Sequence, residues 1–598
     1  MTDVLSRRDL DFLLYEWLDV VSLTSRERFS EHSRDTFAAV LELSADIAHK
    51  HFAPHNKKSD ANEPTMSPDG SIEMIEEVKQ ALDIYSAAGL LAGQFDERVG
   101  GMQLPTTVSR AAMAWFQAAN ASTSSYPFLT IANANLISTH GTDQQVDDYV
   151  RPMIEGRYFG TMCLSEPQAG SSLADITTRA VKQDDGRYRL TGTKMWISAG
   201  DHELTENIIH LVLAKVPGGG SGVKGISLFI VPKFLPGPAG EPGIRNDVTL
   251  TGLNHKMGFR GTTNTLLAFG DGTHRPEGDA GAIGFLVGEE NRGLSYMFHM
   301  MNEARIGVGF VAIALGYVGY LKSVEYAKMR TQGRALGAKD PSSPPVALVE
   351  HADVRRMLLA QKSYVEGALA LGLYCSFLVD EHDSADNKED ASNATLLLDV
   401  LTPIAKSWPS QWCLEANNLA IQVHGGYGYT RDYDVEQYYR DNRLNPIHEG
   451  THGMQGLDLL GRKVTMQDGA GLKLLDSKIA ATVQRAQAIG RDAERYAAEL
   501  ASTWRRIVDL TAALWESGDP SLALANSTIY LEAFGHTVIA WMWLEQVIAA
   551  DGQAGNFYDG KRQAARYFYA YELPKVGPQV ELLASLDRTT LDMNPAWF

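Results

Sequence analysis

The sequence predicts a multidomain α+β fold: an N-terminal helical domain, a middle β-barrel or β-sandwich domain, and helical domains behind it. Three observations carry this. Apolar residues recur at helical spacing up to about residue 155, short β-like runs divided by Gly and Pro replace them over 156–295, and helical periodicity returns at Ser295 and persists. The 598 residues are too many for one core and suggest about three or four domains. With 44% apolar and 21% charged residues, the chain has material for large cores and is not disordered.

In order, residues 1–35 form a short mixed extension in which Asp11–Leu18 reads as a small amphipathic helix. The N-terminal helical domain is placed at 36–155. Its first helix carries Phe37, Val40, Leu41, Ile47, Ala48 and Phe52 at helical spacing. Pro54–Gly70 is polar, contains three prolines and reads as a loop. Helices are then expected at Ser71–Ala88, Thr107–Asn120, Leu129–His140 and Thr142–Met153, with a Gly-rich break over Gly89–Gly101. The middle domain, 156–295, holds β-like runs at 187–190, 194–197, 208–213, 226–231 and 265–269. A helical bundle domain follows at 296–465, with long helices at Arg305–Met329, Val349–Val379 and Leu396–Leu419, the last made irregular by Pro403 and Pro409. The acidic stretch Asp380–Asp390 reads as a solvated loop. An additional helical domain fills 466–598, with helices at Leu472–Ala498, Trp504–Trp515, Leu522–Ala550 and Arg562–Leu573, and with Trp541 and Trp543 as packing material.

The net charge of −19 argues against nonspecific nucleic-acid binding. Cys163, Cys375 and Cys413 form no close pair of the kind metal sites or disulfide frameworks use. The N-terminus has no apolar signal region and no run of 18 apolar residues occurs, so a cytoplasmic chain without a membrane span or metal is expected.

The most informative stretch is Ala416–Lys463. An apolar helix stops at Gly425-Gly426, where close approach of a flat or phosphorylated ligand is allowed. A Tyr-rich charged helix follows at about Asp434–Arg443, then a break at Asn445-Pro446, then Glu449-Gly450-Thr451. A carboxylate in such a turn, partly buried, gains a raised pKa and becomes a usable general base; a surface Glu is the alternative. A second stretch, Met162–Ser172, has hydroxyls at Ser165 and Ser171 around a Pro- and Gly-containing turn whose N–H groups suit a polar ring edge or phosphate. Trp196-Ile197-Ser198 lies some 25–30 residues on. Arg330 ends a long helix near Gly333, a position suited to a pyrophosphate. No G-x-G-x-x-G follows a strand, so no nicotinamide site is read.

In this order and spacing the motifs resemble the acyl-CoA dehydrogenases over roughly 36–465, and the last 130 or so residues resemble the C-terminal helical extension of larger members. The resemblance implies that 296–465 is a four-helix-bundle domain. It implies that the cofactor is FAD and that Glu449 removes the α-proton of an acyl-CoA. Ser165 would then bond the flavin pyrimidine edge, Ser171 a phosphate or the substrate, Trp196 would lie beside the flavin, and Ser198 would reach toward N5. Arg330 would bind the pyrophosphate. Gln422, Gly425 and Gly426 would approach the FAD of a neighbouring subunit, with Thr451 also at the cofactor. Arg305 and Gly450 would line the substrate site, and the N–H of Glu449 together with a ribityl hydroxyl would stabilise the enolate-like charge.

Electrons are expected to pass to an electron-transfer flavoprotein from a homodimer or dimer of dimers. The rivals are an acyl-CoA oxidase, a nitroalkane oxidase-like enzyme, which would lack Glu449, and a catalytically silent scaffold. Four departures from the family pattern stand out: Ser165 where Thr is usual, which keeps the hydroxyl, Ser172 where Asp is usual, Gln103 where Gly is common, and His448 where Tyr is common. The run Trp196–Ile208 and the chain's size resemble the bacterial subgroup of 3-methylmercaptopropionyl-CoA dehydrogenases, which implies 3-methylthiopropanoyl-CoA as substrate, with a fatty acyl-CoA as the alternative.

Overall fold

The structure, a computed structural model, describes residues 3–237, 241–337, 340, 342–516 and 518–598, with residue 299 described by its backbone. It divides into two compact units, one of Asp35–Leu104 and Trp115–Ala304, the other of Met1–Arg34, Pro105–Ala114 and Arg305–Phe598.

The first unit begins with helices α1 (Arg34–Ile47), α2 (Glu76–Ala87), α3 (Thr106–Ala119, shared with the other unit) and α4 (Ala121–His140). The predicted loop at 54–70 is a correction. It contains a turn at Ala53–His55, a helix at Asn56–Ala61 and the strand Thr65–Met66, which pairs with Ile72–Glu73. Its polar residues are used inside the fold: buried His55 bonds Thr123 Oγ1 at 2.8 Å, and Ser59 donates to the Asn56 carbonyl. Pro54 sits at the first turn of a helical segment, where its missing N–H costs nothing. Helix α4 starts eight residues before the predicted Leu129. Asn120 caps it, accepting from Thr123 N at 3.0 Å, and Ser125 and Thr130 return their hydroxyls to carbonyls four residues back. Ser122, Ser124, Ser125 and Pro127 interrupt the apolar periodicity ahead of Leu129, where the predicted helix starts.

The strands are β1 (Tyr158–Cys163), β2 (Arg179–Lys182), β3 (Tyr188–Ser198), β4 (Asn207–Lys215), β5 (Ile226–Pro232), β6 (Val248–Leu253), β7 (Asn264–Phe269) and β8 (Ala282–Leu286). They run β6-β7-β3-β8-β5-β4-β1, and β2 pairs with both β3 and β4. That closes a ring through β3, β8, β5, β4 and β2, so the middle part is a β-barrel with edge extensions. Buried Asn133 of α4 donates to the Thr161 and Ile209 carbonyls at 2.9 Å each, fastening the helix to β1 and β4.

The second unit contains α5 (Gly293–Met329, shared with the first unit), α6 (Ala352–Asp383), α7 (Lys388–His424), α8 (Val435–Asn442), α9 (His452–Asp458), α10 (Met466–Ile489), α11 (Arg491–Glu516), α12 (Ser527–Ala549) and α13 (Asn556–Tyr567). Helix α5 is long and apolar enough to cross a membrane by length and composition, but 89% of its most apolar window is buried in the protein, as in a core helix. The acidic stretch 380–390 is mostly helical, a second correction. Asp380 is buried and accepts from Thr106 N, Thr107 N and Thr107 Oγ1 at 2.5, 2.9 and 2.6 Å, so it caps α3 rather than facing water. A third correction is the break in the C-terminal helices. It falls at Gly490, with φ of +77°, and Arg491–Glu516 is one helix through the predicted gap after Ala498. All three cysteines are free and buried.

The predicted irregularity at Pro403 and Pro409 is contained within one continuous α7. Pro409 cannot donate to the Ala405 carbonyl. Gly309 of α5 lies against that same oxygen: a Cβ there would sit 2.1 Å from it. Gly316 and Gly319 meet Cys413 and Asn417 in the same way, so a glycine stripe brings α5 alongside α7 in a parallel sense. Gly309→Ala is therefore expected to push the helices apart and destabilise the protein by about 1–3 kcal/mol. A thermal melt of the flavin-loaded protein checks this; an unchanged midpoint would show that the contact relaxes freely.

The 1–35 extension is anchored rather than loose. Leu10, Phe12, Leu13 and Leu14 are buried, Trp17 donates to Glu545 at 3.2 Å, and buried Asp9 pairs with Lys561.

Candidate active site

Glu449 lies between the end of α8 and the start of α9, in a turn that Pro446 keeps from continuing as helix. Its φ is +53°, and Gly450 follows at +92°. A left-handed non-glycine residue costs free energy and persists where its surroundings hold it. The holding contacts are all present. Buried Gln455 donates to the Glu449 carbonyl at 2.9 Å, and Thr451 caps α9 by accepting from Met454 N at 3.4 Å. A Cβ on Gly450 would meet Gln455 Nε2 at 2.6 Å. Among the described residues, the half-buried Glu449 carboxyl makes no hydrogen bond or ion pair, and its N–H has no acceptor. Burial raises the pKa of this carboxyl, against the opposing charges of Arg305 and Lys406.

Arg305 pairs with Asp458 at 3.0 Å, and its Nε has no partner. His448 ends a chain of buried amides. Asn417 donates to the Leu315 carbonyl, Asn442 to Asn417 at 2.7 Å, Asn445 to Asn442 at 2.8 Å, and His448 Nε2 lies 3.1 Å from Asn445 Oδ1. His448 thus packs beneath the turn as a neutral ring. Burial, then the Lys406 charge, pushes it down to about 3.

Burial likewise pushes His202 and His210 to about 3. A histidine whose folded pKa lies below its ordinary value of about 6.5 takes up protons on unfolding. Stability should be full above about pH 6.5 and fall as pH drops toward the folded values, by up to about 1.4 kcal/mol per pH unit for each ring. Urea unfolding from pH 8 to 4.5 checks this; a flat profile below pH 6.5 would contradict it.

In the barrel unit, Ser165, Trp196 and Ser198 come together. Opposite Thr265–Leu267, β3 carries a bulge at Met195-Trp196, and Trp196 takes φ of +66°. The bulge turns the indole outward, leaving it 58% exposed, although a Trp in a strand would ordinarily be core. Met195 N donates to the Ser165 carbonyl at 3.0 Å, and buried Lys194 donates to the Leu164 carbonyl and to Glu166 at 2.9 Å each. Burial opposes ionisation of Glu166, but Lys194 and the bonds from Thr177 and Thr178 hold its carboxyl well below the usual range. Ser198 Oγ accepts from Asn264, and Ser171 is exposed on the turn. Ser172 donates to Asp175, so a carboxylate is present in this turn after all. Gln103 takes φ of +50°, the conformation a glycine adopts without strain.

Arg330 and the Gly425–Tyr429 turn also come together: the Arg330 guanidinium lies 5.6 Å from the Tyr427 ring centroid. Gly425 has φ of +61°, and neither it nor Gly426 has an atom within 4 Å of a would-be Cβ. Gln422 is exposed one turn earlier. Lys406, Gln455, Asp458, His452, Lys194 and Glu166 all shape these groups without being candidates from the sequence. Only the intact Glu in S-E-P and the Lys before W-I-S offered a signal.

Family models match in this order: acyl-CoA dehydrogenase N-terminal domain over 35–157, middle domain over 161–271 and C-terminal domain over 291–464, then an acetyl-CoA dehydrogenase C-terminal-like domain over 475–594. A 3-methylmercaptopropionyl-CoA dehydrogenase of Ruegeria pomeroyi is 35% identical over 93% of this chain and 92% of its own length. A broad-specificity linear acyl-CoA dehydrogenase of Mycobacterium tuberculosis is 33% identical over 99% of each. A crystal structure of a Bacillus anthracis acyl-CoA dehydrogenase complexed with FAD shares the fold, with a TM-score of 0.74 at 18% identity over 98% of this chain and 95% of that one.

Proposed function

The chain belongs to the acyl-CoA dehydrogenase family and is an FAD-dependent oxidoreductase of that class, and we propose that Glu449 is its base. The observation that carries this is the half-buried carboxyl with no partner, its proton affinity raised by burial, at the end of a strained and well-braced turn. Glu449 takes the α-proton of the thioester and is left protonated. The Glu449 N–H, which has no acceptor among the described residues, donates to the thioester carbonyl and stabilises the charge that develops there. Gly450 lets substrate come close to the backbone, and Arg305, anchored by Asp458, lines the same turn.

Ser165, Ser171, Trp196, Ser198, Arg330, Gln422, Gly425, Gly426 and Thr451 are the residues that would contact FAD. An outward-turned indole beside hydroxyls suits a flavin, and open backbone beside a guanidinium suits a pyrophosphate. When bound, FAD supplies the two-electron acceptor for the β-hydrogen. The product is a trans-2-enoyl-CoA, the onward acceptor an electron-transfer flavoprotein, and the substrate 3-methylthiopropanoyl-CoA or a fatty acyl-CoA. A homodimer lets the Gly425-Gly426 turn serve a neighbouring subunit's cofactor.

The test is an anaerobic titration of the flavin-loaded protein with saturated acyl-CoAs, including 3-methylthiopropanoyl-CoA. Bleaching by at least one thioester, lost in Glu449→Gln, is expected, and the best thioester fixes the substrate class. A yellow protein that no thioester bleaches would overturn the proposed reaction.

A further inference from the structure

Lys194 and Lys406 are both buried and both hold turns of the proposed site, and they differ in one respect. Lys194 has a carboxylate partner, Glu166. Lys406, on α7, is fully buried and among the described residues has no carboxylate within ion-pair distance. Its ammonium instead donates to two backbone carbonyls, Asn445 at 2.8 Å and Gly450 at 2.6 Å. These two oxygens lie on either side of Glu449 in the chain. A buried ammonium without a counter-ion is costly, and a natural core tolerates one where something requires it. The adjoining residue adds a second grip: Ser407 Oγ lies 3.0 Å from Nδ1 of His452, three residues past the base. The α7 register that sets both residues is fixed one position earlier, where Gly309 meets the Ala405 carbonyl.

We propose that Lys406 is the positioning residue of the base: its buried ammonium, bonded to the carbonyls that flank Glu449, holds the left-handed turn and places a positive charge behind the carboxyl. This rests on Glu449 being the base. The charges that act on Glu449 are Arg305 from α5 and Lys406 from α7; His448 precedes it, His452 of α9 feels Lys406 and Arg443, and Asp458 of α9 pairs with Arg305. Burial and the Lys406 charge keep His448 and His452 neutral, and Asp458 answers Arg305. Of the two cations that act on the base, Lys406 is therefore the one that, among the described residues, no carboxylate within ion-pair distance answers. Burial draws Lys406 down to about 7 against the upward pull of Glu449, so the two groups share one electrostatic balance.

The experiment uses the flavin-loaded full chain and the rate of anaerobic flavin reduction by its best acyl-CoA, measured from pH 5 to 9. The variants are Lys406→Gln, Lys406→Arg and Glu449→Gln. Gln keeps N–H donors for the carbonyls but removes the charge. It should move the acid limb of the profile upward by roughly one pH unit while retaining most of the high-pH rate. Arg keeps the charge but not the geometry. It should leave the limb in place and lower the rate about equally at every pH.

A second readout does not depend on turnover: the carbonyl stretch of protonated Glu449, identified by its absence in Glu449→Gln, should titrate higher in Lys406→Gln. If Gln does not give a folded protein, Met, which fills the same volume, replaces it. Gln and Arg lowering the rate alike with the limb and the infrared titration unmoved would overturn the proposal and leave Lys406 a structural residue. Full-rate Glu449→Gln would instead overturn the assignment of the base, whatever the lysine variants do.

Discussion

Glu449→Gln is expected to slow acyl-CoA-driven flavin reduction by about 100- to 10,000-fold, the range for loss of a positioned general base. That is roughly 3–5 kcal/mol of barrier. The carboxamide has the shape of the carboxyl, and the turn depends on the main chain. Gln455 bonds the Glu449 carbonyl, Lys406 bonds those of Asn445 and Gly450, and Thr451 caps α9. The substitution should therefore leave the fold, flavin content and thioester binding in place and remove only the proton acceptor. Stopped-flow reduction with the best thioester measures it. A rate within tenfold of wild type would mean that the base is elsewhere.

The largest expected effect on stability lies far from that chemistry. Lys561 is buried and pairs with Asp9 and with Glu366 at 2.9 Å, while Lys362 also pairs with Glu366 and Tyr317 donates to Asp9 at 2.9 Å. Lys561→Met would leave two carboxylates sharing one cation without water. Breaking a buried pair from one side costs about 3–5 kcal/mol. The first unfolding transition should fall, and adding Asp9→Leu should restore part of the loss, since an apolar replacement of both partners is far cheaper. Differential scanning calorimetry of the three proteins decides it. A single substitution that costs under about 1 kcal/mol would show that water reaches the cluster.

The sequence errors share one cause. Residues 54–70 and 380–390 read as loops because they are polar, and the helix predicted from Leu129 leaves out the hydroxyl-rich first turns of α4. In each case the polar groups are satisfied inside the protein: His55 by Thr123, Ser125 and Thr130 by the preceding helical turn, and Asp380 by the N-terminus of α3. Local composition reports how polar a segment is, not where its hydrogen bonds end. The segments that carry the proposed site residues were legible for the opposite reason. Glu449-Gly450-Thr451, Ser165 with its turn, and Trp196-Ile197-Ser198 are short segments whose residue types and spacing stand out along the chain, although contacts distant in sequence, such as Lys406 and Lys194, hold them in place.

The sequence by itself determined the helix–barrel–helix order, the ends of α7 at Gly425 and of α8 near Pro446, and a turn that carries Glu449, the carboxylate proposed as base. These follow from periodicity, from glycine and proline, and from motif spacing, all of which are local. Tertiary structure alone decided what surrounds that carboxylate. Lys406 lies 43 residues before Glu449 in the sequence and reads there as an ordinary helix lysine. Its function comes from the glycine stripe of α5, which sets how closely α7 is packed, and from the carbonyls that a folded turn presents to a buried ammonium. Burial, charge balance and hydrogen-bond closure depend on neighbours distant in the chain, and they are fixed only when the helices have packed.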